Sequence, residues 1–169
     1  SVYSDAKRFS ETVAAAFRSQ ARIPVVTARP FAFIGPYQSL DTPWAINNFI
    51  GDALAGNAIR VLGDGQTVRS YMYPSDMVYW ILRMLTGGTS GAQYNLGSPE
   101  GVCLSDLAAM IADQMTPRSE IRLHSAPSAG AASRFVPDVS SASRSLGLSV
   151  TVPLSQALER TLRWNRSRT

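Results

Sequence analysis

The stretch Tyr3-Ser4-Asp5-Ala6-Lys7-Arg8-Phe9-Ser10-Glu11, with Ile23-Pro24-Val25-Val26-Thr27-Ala28-Arg29 a dozen residues on, decides the fold. Phe9, Val13 and Phe17 recur at i, i+4 and i+8 among alanines, with no Gly or Pro between them, which predicts a helix over 3–20. Ile23–Arg29 reads as a buried strand with β-branched Val25 and Val26 at its centre. A strand this apolar, without alternation, expects a neighbour on either side. Nothing before residue 3 can supply one, so a larger sheet is expected on the N-terminal side.

Working outward, the chain alternates short helices and strands. A loop over 31–42 carries Gly35-Pro36, and Pro43 suits the first turn of a helix to Leu54, closed by Gly56. A strand over 59–62 meets a Gly63-Asp64-Gly65 turn, and 68–73 is extended. Ser75 is placed to cap a helix over 76–85 ended by Gly87-Gly88, and Ser105 one over 105–114 with Leu107 and Ile111 on its inner face. Strands over 93–96 and 120–123, a Ser/Ala/Gly/Pro-rich loop over 125–133, helices over 140–146 and 154–164, and a frayed end over 166–169 complete the pattern. The class is α/β.

Composition narrows the function. The 169 residues are 45% hydrophobic and 17% charged, enough for a core. No apolar run is long enough to span a membrane, and the start shows no secretory leader. The lone Cys103 has no disulfide partner and no metal-ligand neighbours, so a reducing cytoplasm is expected and a metal site is not. The net charge of +4 comes from arginines spread along the chain, without a basic stripe, which argues against nucleic acid and for a small anionic ligand. Lys7 is the single lysine.

Tyr3 and Lys7, four apart, share one helix face. An ammonium beside a phenol stabilises the phenolate, and such a tyrosine can exchange a proton with a sugar hydroxyl while a hydride moves to or from a nicotinamide. The same spacing is also compatible with a packed Tyr beside a solvated Lys.

Tyr3-Ser4-Asp5-Ala6-Lys7 resembles the active-site helix of the extended short-chain dehydrogenase/reductase family, among them the NAD-dependent nucleotide-sugar epimerases and dehydratases. The blocks Arg29-Pro30-Phe31-Ala32-Phe33-Ile34-Gly35-Pro36, Ile59–Gly65, Arg69–Val78, Tyr94–Gly97 and Val136-Pro137-Asp138 resemble that family in the same order. The resemblance implies the C-terminal part of a Rossmann-like enzyme with its small α/β substrate-binding domain. Residues 1–42 would be a remnant of the dinucleotide-binding domain. Residues 43–169 would mainly form the substrate domain, with some segments returning to the Rossmann part.

The resemblance also assigns roles. Tyr3 would be the catalytic acid or base, and Lys7 would hold the nicotinamide ribose of NAD, with NADP as the alternative. Pro30 and Phe31 would lie against the cofactor. Arg69 and Arg134 would converge on the diphosphate of a nucleotide-diphosphate sugar, Asp138 would reach a ribose, and Ala32 would face the substrate where the family commonly has a hydrogen-bonding Asn. Tyr37 stands where Arg is common. Epimerisation or 4,6-dehydration is the expected reaction, with a keto-sugar reductase or a non-catalytic binding relative as alternatives. A homodimer of the full-length protein is expected through the Tyr/Lys helix. The glycine-rich cofactor loop and the catalytic Ser or Thr would lie upstream, so these residues alone are expected neither to hold NAD tightly nor to turn over. Other residues have plainer readings: Arg69 as an ion-pair partner, Asp138 as a cap, Asp64 as a turn former, Asp76 as a first-turn residue favoured by the helix dipole, Asn47 and Asn48 on a solvated face, and His124 as a bystander.

Overall fold

The computed structural model describes residues 2–125 and 132–167. The order is α1 (Val2–Ala21), β1 (Thr27–Pro30), α2 (Ala45–Leu54), β2 (Ile59–Val61), β3 (Val68–Arg69), α3 (Pro74–Gly87), β4 (Gln93–Leu96), β5 (Val102–Cys103), α4 (Leu104–Ala112), β6 (Ile121–Leu123), β7 (Arg134–Phe135), α5 (Ser140–Leu146) and α6 (Leu154–Arg166). Most of the loop expected over 125–133, and residues 168–169 of the expected frayed end, lie outside the described residues.

The strands form three small sheets. β1 and β4 pair in parallel, as do β2 and β6; β3 lies between antiparallel β5 and parallel β7. Two cores result. One joins α3, β4 and α5 through Trp80, Met84, Tyr94, Leu96, Ala142 and Leu146. The other joins α2, β2, α4 and α6 through Phe49, Ile50, Ile59, Ile111, Leu158 and others. The segment from Ala32 to Ile34 connects them. Ile34 N–H donates to the Met72 carbonyl at 3.1 Å and Met72 N–H to the Ala32 carbonyl at 3.0 Å. Gly35 allows this close passage, since a β-carbon there would stand 2.5 Å from Pro74 Cγ.

The first strand is shorter and more open than its sequence suggests. Pro24 has no N–H, and the Val25 carbonyl accepts from Gly91 N–H in a turn contact, so the ladder begins at Thr27. Only β4 pairs with β1 among the described residues, and Ala28, Arg29 and Pro30 are exposed. Helix starts also shift. Trp44 rather than Pro43 precedes α2; Tyr73 caps α3 with Pro74 in its first turn, which puts Ser75 inside; and Cys103 precedes α4, leaving Ser105 within it. The two-residue strands β5 and β7 are too short to carry a periodicity.

Two polar residues do more than their plain readings. Asp76 is buried at 3% exposure and pins the 151–152 turn to α3. It accepts from Thr151 N–H at 2.9 Å, Val152 N–H at 3.0 Å and the Thr151 hydroxyl at 2.5 Å. Asn47 is fully buried rather than solvated, and its amide ties the 38–42 loop to α2. Asp64 shapes its turn as expected: its Oδ1 accepts from Gln66 N–H at 3.0 Å, between Gly63 and Gly65 at positive φ.

Helix α1 buries none of its residues. It is seated by polar clamps. Arg29 donates from Nε and Nη2 to the two Glu11 oxygens, each at 2.7 Å, and from Nη2 to Gln93 Oε1 at 2.9 Å. One turn of helix separates Glu11 from Lys7, so this fork sets α1 over β1 and β4. The guanidinium holds the Glu11 carboxyl below its ordinary value. A carboxylate with a lowered native pKa stabilises the fold above its unfolded value and loses that contribution as pH falls through the native one. Wild type and Glu11→Gln should therefore differ by up to about 1 kcal/mol in urea unfolding at pH 6, and the difference should shrink as pH falls below the ordinary carboxyl range and through the lowered native value.

Candidate active site

Tyr3 stands at the junction of two cavities. One, of about 770 Å³, is walled by Tyr3, Ser4, Lys7, Arg8, Arg29, Pro30 and neighbours on α1 and β1. The other, of about 620 Å³, runs from Tyr3 along Pro30, Phe31, Ala32 and Phe33 to Arg69 and Tyr71, closed by Trp44 and Phe135. Tyr3, Pro30 and Phe135 are common to both. Within α1 the Lys7 ammonium lies 5.5 Å from the centre of the Tyr3 ring. The helical spacing foreseen from the sequence thus puts phenol and ammonium together, with Tyr3 72% exposed at the edge of the cleft.

Arg69 is held by main chain and not by a carboxylate. Its Nη1 donates to the Val68 carbonyl at 2.8 Å, the Ser133 carbonyl at 3.3 Å and the Ser133 hydroxyl at 3.4 Å. Among the described residues it has no ion-pair partner, so the ion-pair reading does not hold and its positive charge is uncompensated at the cleft wall. Beside it, burial pushes the Tyr71 phenol up to about 12, partly offset by the Arg69 charge. Tyr71 therefore stays protonated, a neutral hydroxyl in the wall.

The β3–β7 register separates the two arginines. Arg69 is opposite Phe135, while Arg134 is opposite Val68. Residues opposite one another share a face and successive residues alternate, so Arg69 and Phe135 line the cleft and Arg134 turns from it. Arg134 lines neither cavity. Of the two arginines expected at the diphosphate, Arg69 lines the cleft and Arg134 does not; Phe135 lines it instead, stacked on Phe31 at 4.6 Å between ring centres.

Asp138 also lies outside both cavities. Its Oδ1 accepts from Ser140 N–H at 2.8 Å at the start of α5, and that bond, first among the causes, lowers its pKa. This i to i+2 bond is an Asx turn leading into α5, whose N-cap position is held by Val139 without a side-chain cap bond. Pro30, Phe31 and Ala32 do line the cleft. Gln38, Trp44, Thr67, Tyr71 and Phe135 also line the cleft, beyond the residues expected from the sequence. Tyr71 and Phe135 were within reach of it, being two residues beyond Arg69 and one beyond Arg134; the others sit in loops or at a helix start, where no periodicity marks an inward side chain. Among the described residues no cluster of His, Cys, Asp and Glu is arranged to hold a metal.

Residues 1–97 match the model of the NAD dependent epimerase/dehydratase family. UDP-glucuronic acid decarboxylase 3 of Arabidopsis thaliana is 32% identical over 158 residues, which are 94% of this chain and 46% of that protein. UDP-glucuronic acid decarboxylase 1 of Danio rerio is 31% identical over 163 residues, 96% of this chain and 38% of that protein. The chain therefore spans less than half the length of these curated relatives. Among solved structures, a Streptomyces venezuelae dTDP-glucose 4,6-dehydratase with NAD bound superposes with a TM-score of 0.79 at 27% identity, covering 98% of this chain and 51% of that one. A Thermotoga maritima UDP-glucose 4-epimerase with UDP-glucose gives 0.86 at 23% identity, covering 98% and 53%.

Proposed function

The chain belongs to the NAD dependent epimerase/dehydratase family, and from that premise we propose that it is part of a longer enzyme that oxidises a nucleotide-diphosphate sugar at a ring carbinol as the first step of epimerisation or 4,6-dehydration. The observation that carries this reading is the position of Tyr3, shared by a cavity holding the one lysine and a cleft holding an uncompensated arginine. A proton acceptor at that junction can serve a sugar hydroxyl on one side while a cofactor lies on the other.

The cavity beside Lys7 suits the nicotinamide ribose of NAD, with NADP as the alternative. Its volume is in the range of ordinary cofactor sites, and Lys7 supplies three donors to ribose hydroxyls. NAD, when bound, supplies the hydride acceptor. Lys7 holds the ribose and stabilises negative charge on the Tyr3 oxygen. Tyr3 Oη takes the hydroxyl proton. Pro30 and Phe31 exclude water between cavity and cleft, and Ala32 leaves room for the sugar ring. Arg69 holds the diphosphate by charge-assisted bonds. Arg134 and Asp138 lie outside the cleft, and a part for either in binding would require β7 or the start of α5 to move.

The identity to UDP-glucuronic acid decarboxylases favours a second reading. The same oxidation beside a sugar carboxylate lets it leave as carbon dioxide, so UDP-glucuronic acid belongs with UDP-glucose among the substrates to try on the full-length protein. A cytoplasmic homodimer completes the proposal. Phe9, Val13 and Phe17 on α1, at 69, 48 and 54% exposure, are the residues it would use.

Calorimetry on full-length protein tests the cleft. Arg69→Met should weaken UDP binding about 30-fold, as expected for losing hydrogen bonds between charged groups. Unchanged UDP affinity would remove Arg69 from the diphosphate site.

A further inference from the structure

Gln38 lines the cleft with its side-chain amide held from behind by Asn47. The preceding Tyr37 adopts φ 67°, a left-handed conformation that non-glycine residues seldom take, and its exposed ring packs at a tilt of 44° on Trp164, 4.2 Å between centres. The backbone reversal turns Gln38 toward the cleft, which it lines together with Ala32 and Arg69. Strained backbone of this kind is retained where the surroundings over-determine it, commonly at ligand sites.

The surroundings here are Asn47, fully buried on α2. Its Nδ2 donates to the Ser39 carbonyl at 3.1 Å and also to the Thr42 hydroxyl. A carbonyl only accepts, so the nitrogen of the Asn47 amide must face Ser39, and its Oδ1 must face Gln38. Gln38 can then meet it only with nitrogen, and Nε2 donates to Asn47 Oδ1 at 3.1 Å. The Gln38 Oε1 is left without a donor among the described residues. The other polar side chains of the cleft include the hydroxyls of Tyr3, Thr67 and Tyr71, which both donate and accept, and Arg69, which only donates. Gln38 Oε1 can only accept, and its direction is fixed.

We propose that Gln38 Oε1 is a specificity-determining contact that accepts a hydrogen bond from a hydroxyl of the sugar moiety, and that Asn47 is the positioning residue that holds the Gln38 amide in that sense. The inference rests on the reading of the cleft as a nucleotide-sugar site and names a group that selects its sugar. A ligand lacking the sugar gains nothing from Gln38. A site built to pair with a hydroxyl discriminates strongly against ligands without it, because its own group is then left unpaired.

The test is calorimetry on the full-length, NAD-loaded protein with UDP-glucose and with UDP. Gln38→Met keeps the chain length and removes Oε1. It should raise the Kd for UDP-glucose about 10-fold and leave that for UDP within about twofold. Asn47→Ala should weaken UDP-glucose in the wild-type background yet leave the UDP-glucose to UDP ratio unchanged in the Gln38→Met background, since it acts through Gln38; a merely structural residue would lower both affinities in both backgrounds. If Gln38→Met does not fold, Gln38→Asn, which withdraws the carbonyl by one methylene, carries the same comparison. An unchanged ratio in the Gln38 variant, or equal losses for both ligands, overturns the inference while the substrate reading stands. Wild-type protein that binds neither ligand overturns both.

Discussion

Tyr3→Phe in the full-length enzyme should lower kcat about 1000-fold and leave nucleotide-sugar binding within a few-fold of wild type. The substitution removes one oxygen from the junction of the two cavities and preserves the ring that Lys7 faces at 5.5 Å. A positioned acid or base contributes roughly 100- to 10,000-fold, and its loss falls on the chemical step. Since Arg69 and the aromatic walls are untouched, affinity should persist, so steady-state kinetics should show kcat and kcat/KM falling together. Unchanged turnover would remove Tyr3 from proton transfer and favour a binding protein that kept the fold.

The largest stability effect should come from Asp76→Ala, about 3 kcal/mol in urea unfolding. The carboxylate is 3% exposed and satisfies two main-chain N–H groups and one hydroxyl of the 151–152 turn. Truncation removes three hydrogen bonds to a carboxylate, each worth up to about 1.5–3 kcal/mol, and water reaching the exposed Thr151 offsets part of that loss. The consequence reaches the architecture, because Asp76 begins α3 in one core, while Val152 packs against the other. Asp76→Asn should cost less, since its remaining carbonyl still accepts from one of the donors. Equal stability of Asp76→Ala and wild type, by urea unfolding, would show that other contacts hold the turn.

What the sequence disclosed and what it hid follow from the range of the interactions involved. The helix of Phe9, Val13 and Phe17, the strand Gln93–Leu96 and the helix Ser140–Leu146 rest on local patterns, and the structure has them at or near the expected bounds. Tyr3 and Lys7 were legible because four residues make one helical turn. Helix starts at Trp44, Tyr73 and Cys103 were not, because in each case no side-chain cap bond is formed and the preceding extended residue sets the boundary. From the sequence Asn47 reads as a solvated helix position and Asp76 as a first-turn residue favoured by the helix dipole. Asn47 meets the irregular 38–42 loop just before α2, and Asp76 meets the 151–152 turn far along the chain; no spacing rule links either pair. Arg134 shows the converse limit. Its place in the motif order suggested a partner for Arg69, yet a one-residue difference in register puts Phe135 on the cleft face instead.

The most direct test is a crystal structure of the full-length protein with NAD and UDP-glucose. The sugar nucleotide should occupy the cleft between Tyr3 and Arg69, with its diphosphate on Arg69 and a sugar hydroxyl on Tyr3, while the nicotinamide ribose meets Lys7 from the other side. A diphosphate seated away from Arg69, or a cofactor that does not approach Lys7, would contradict the assignment of these two cavities.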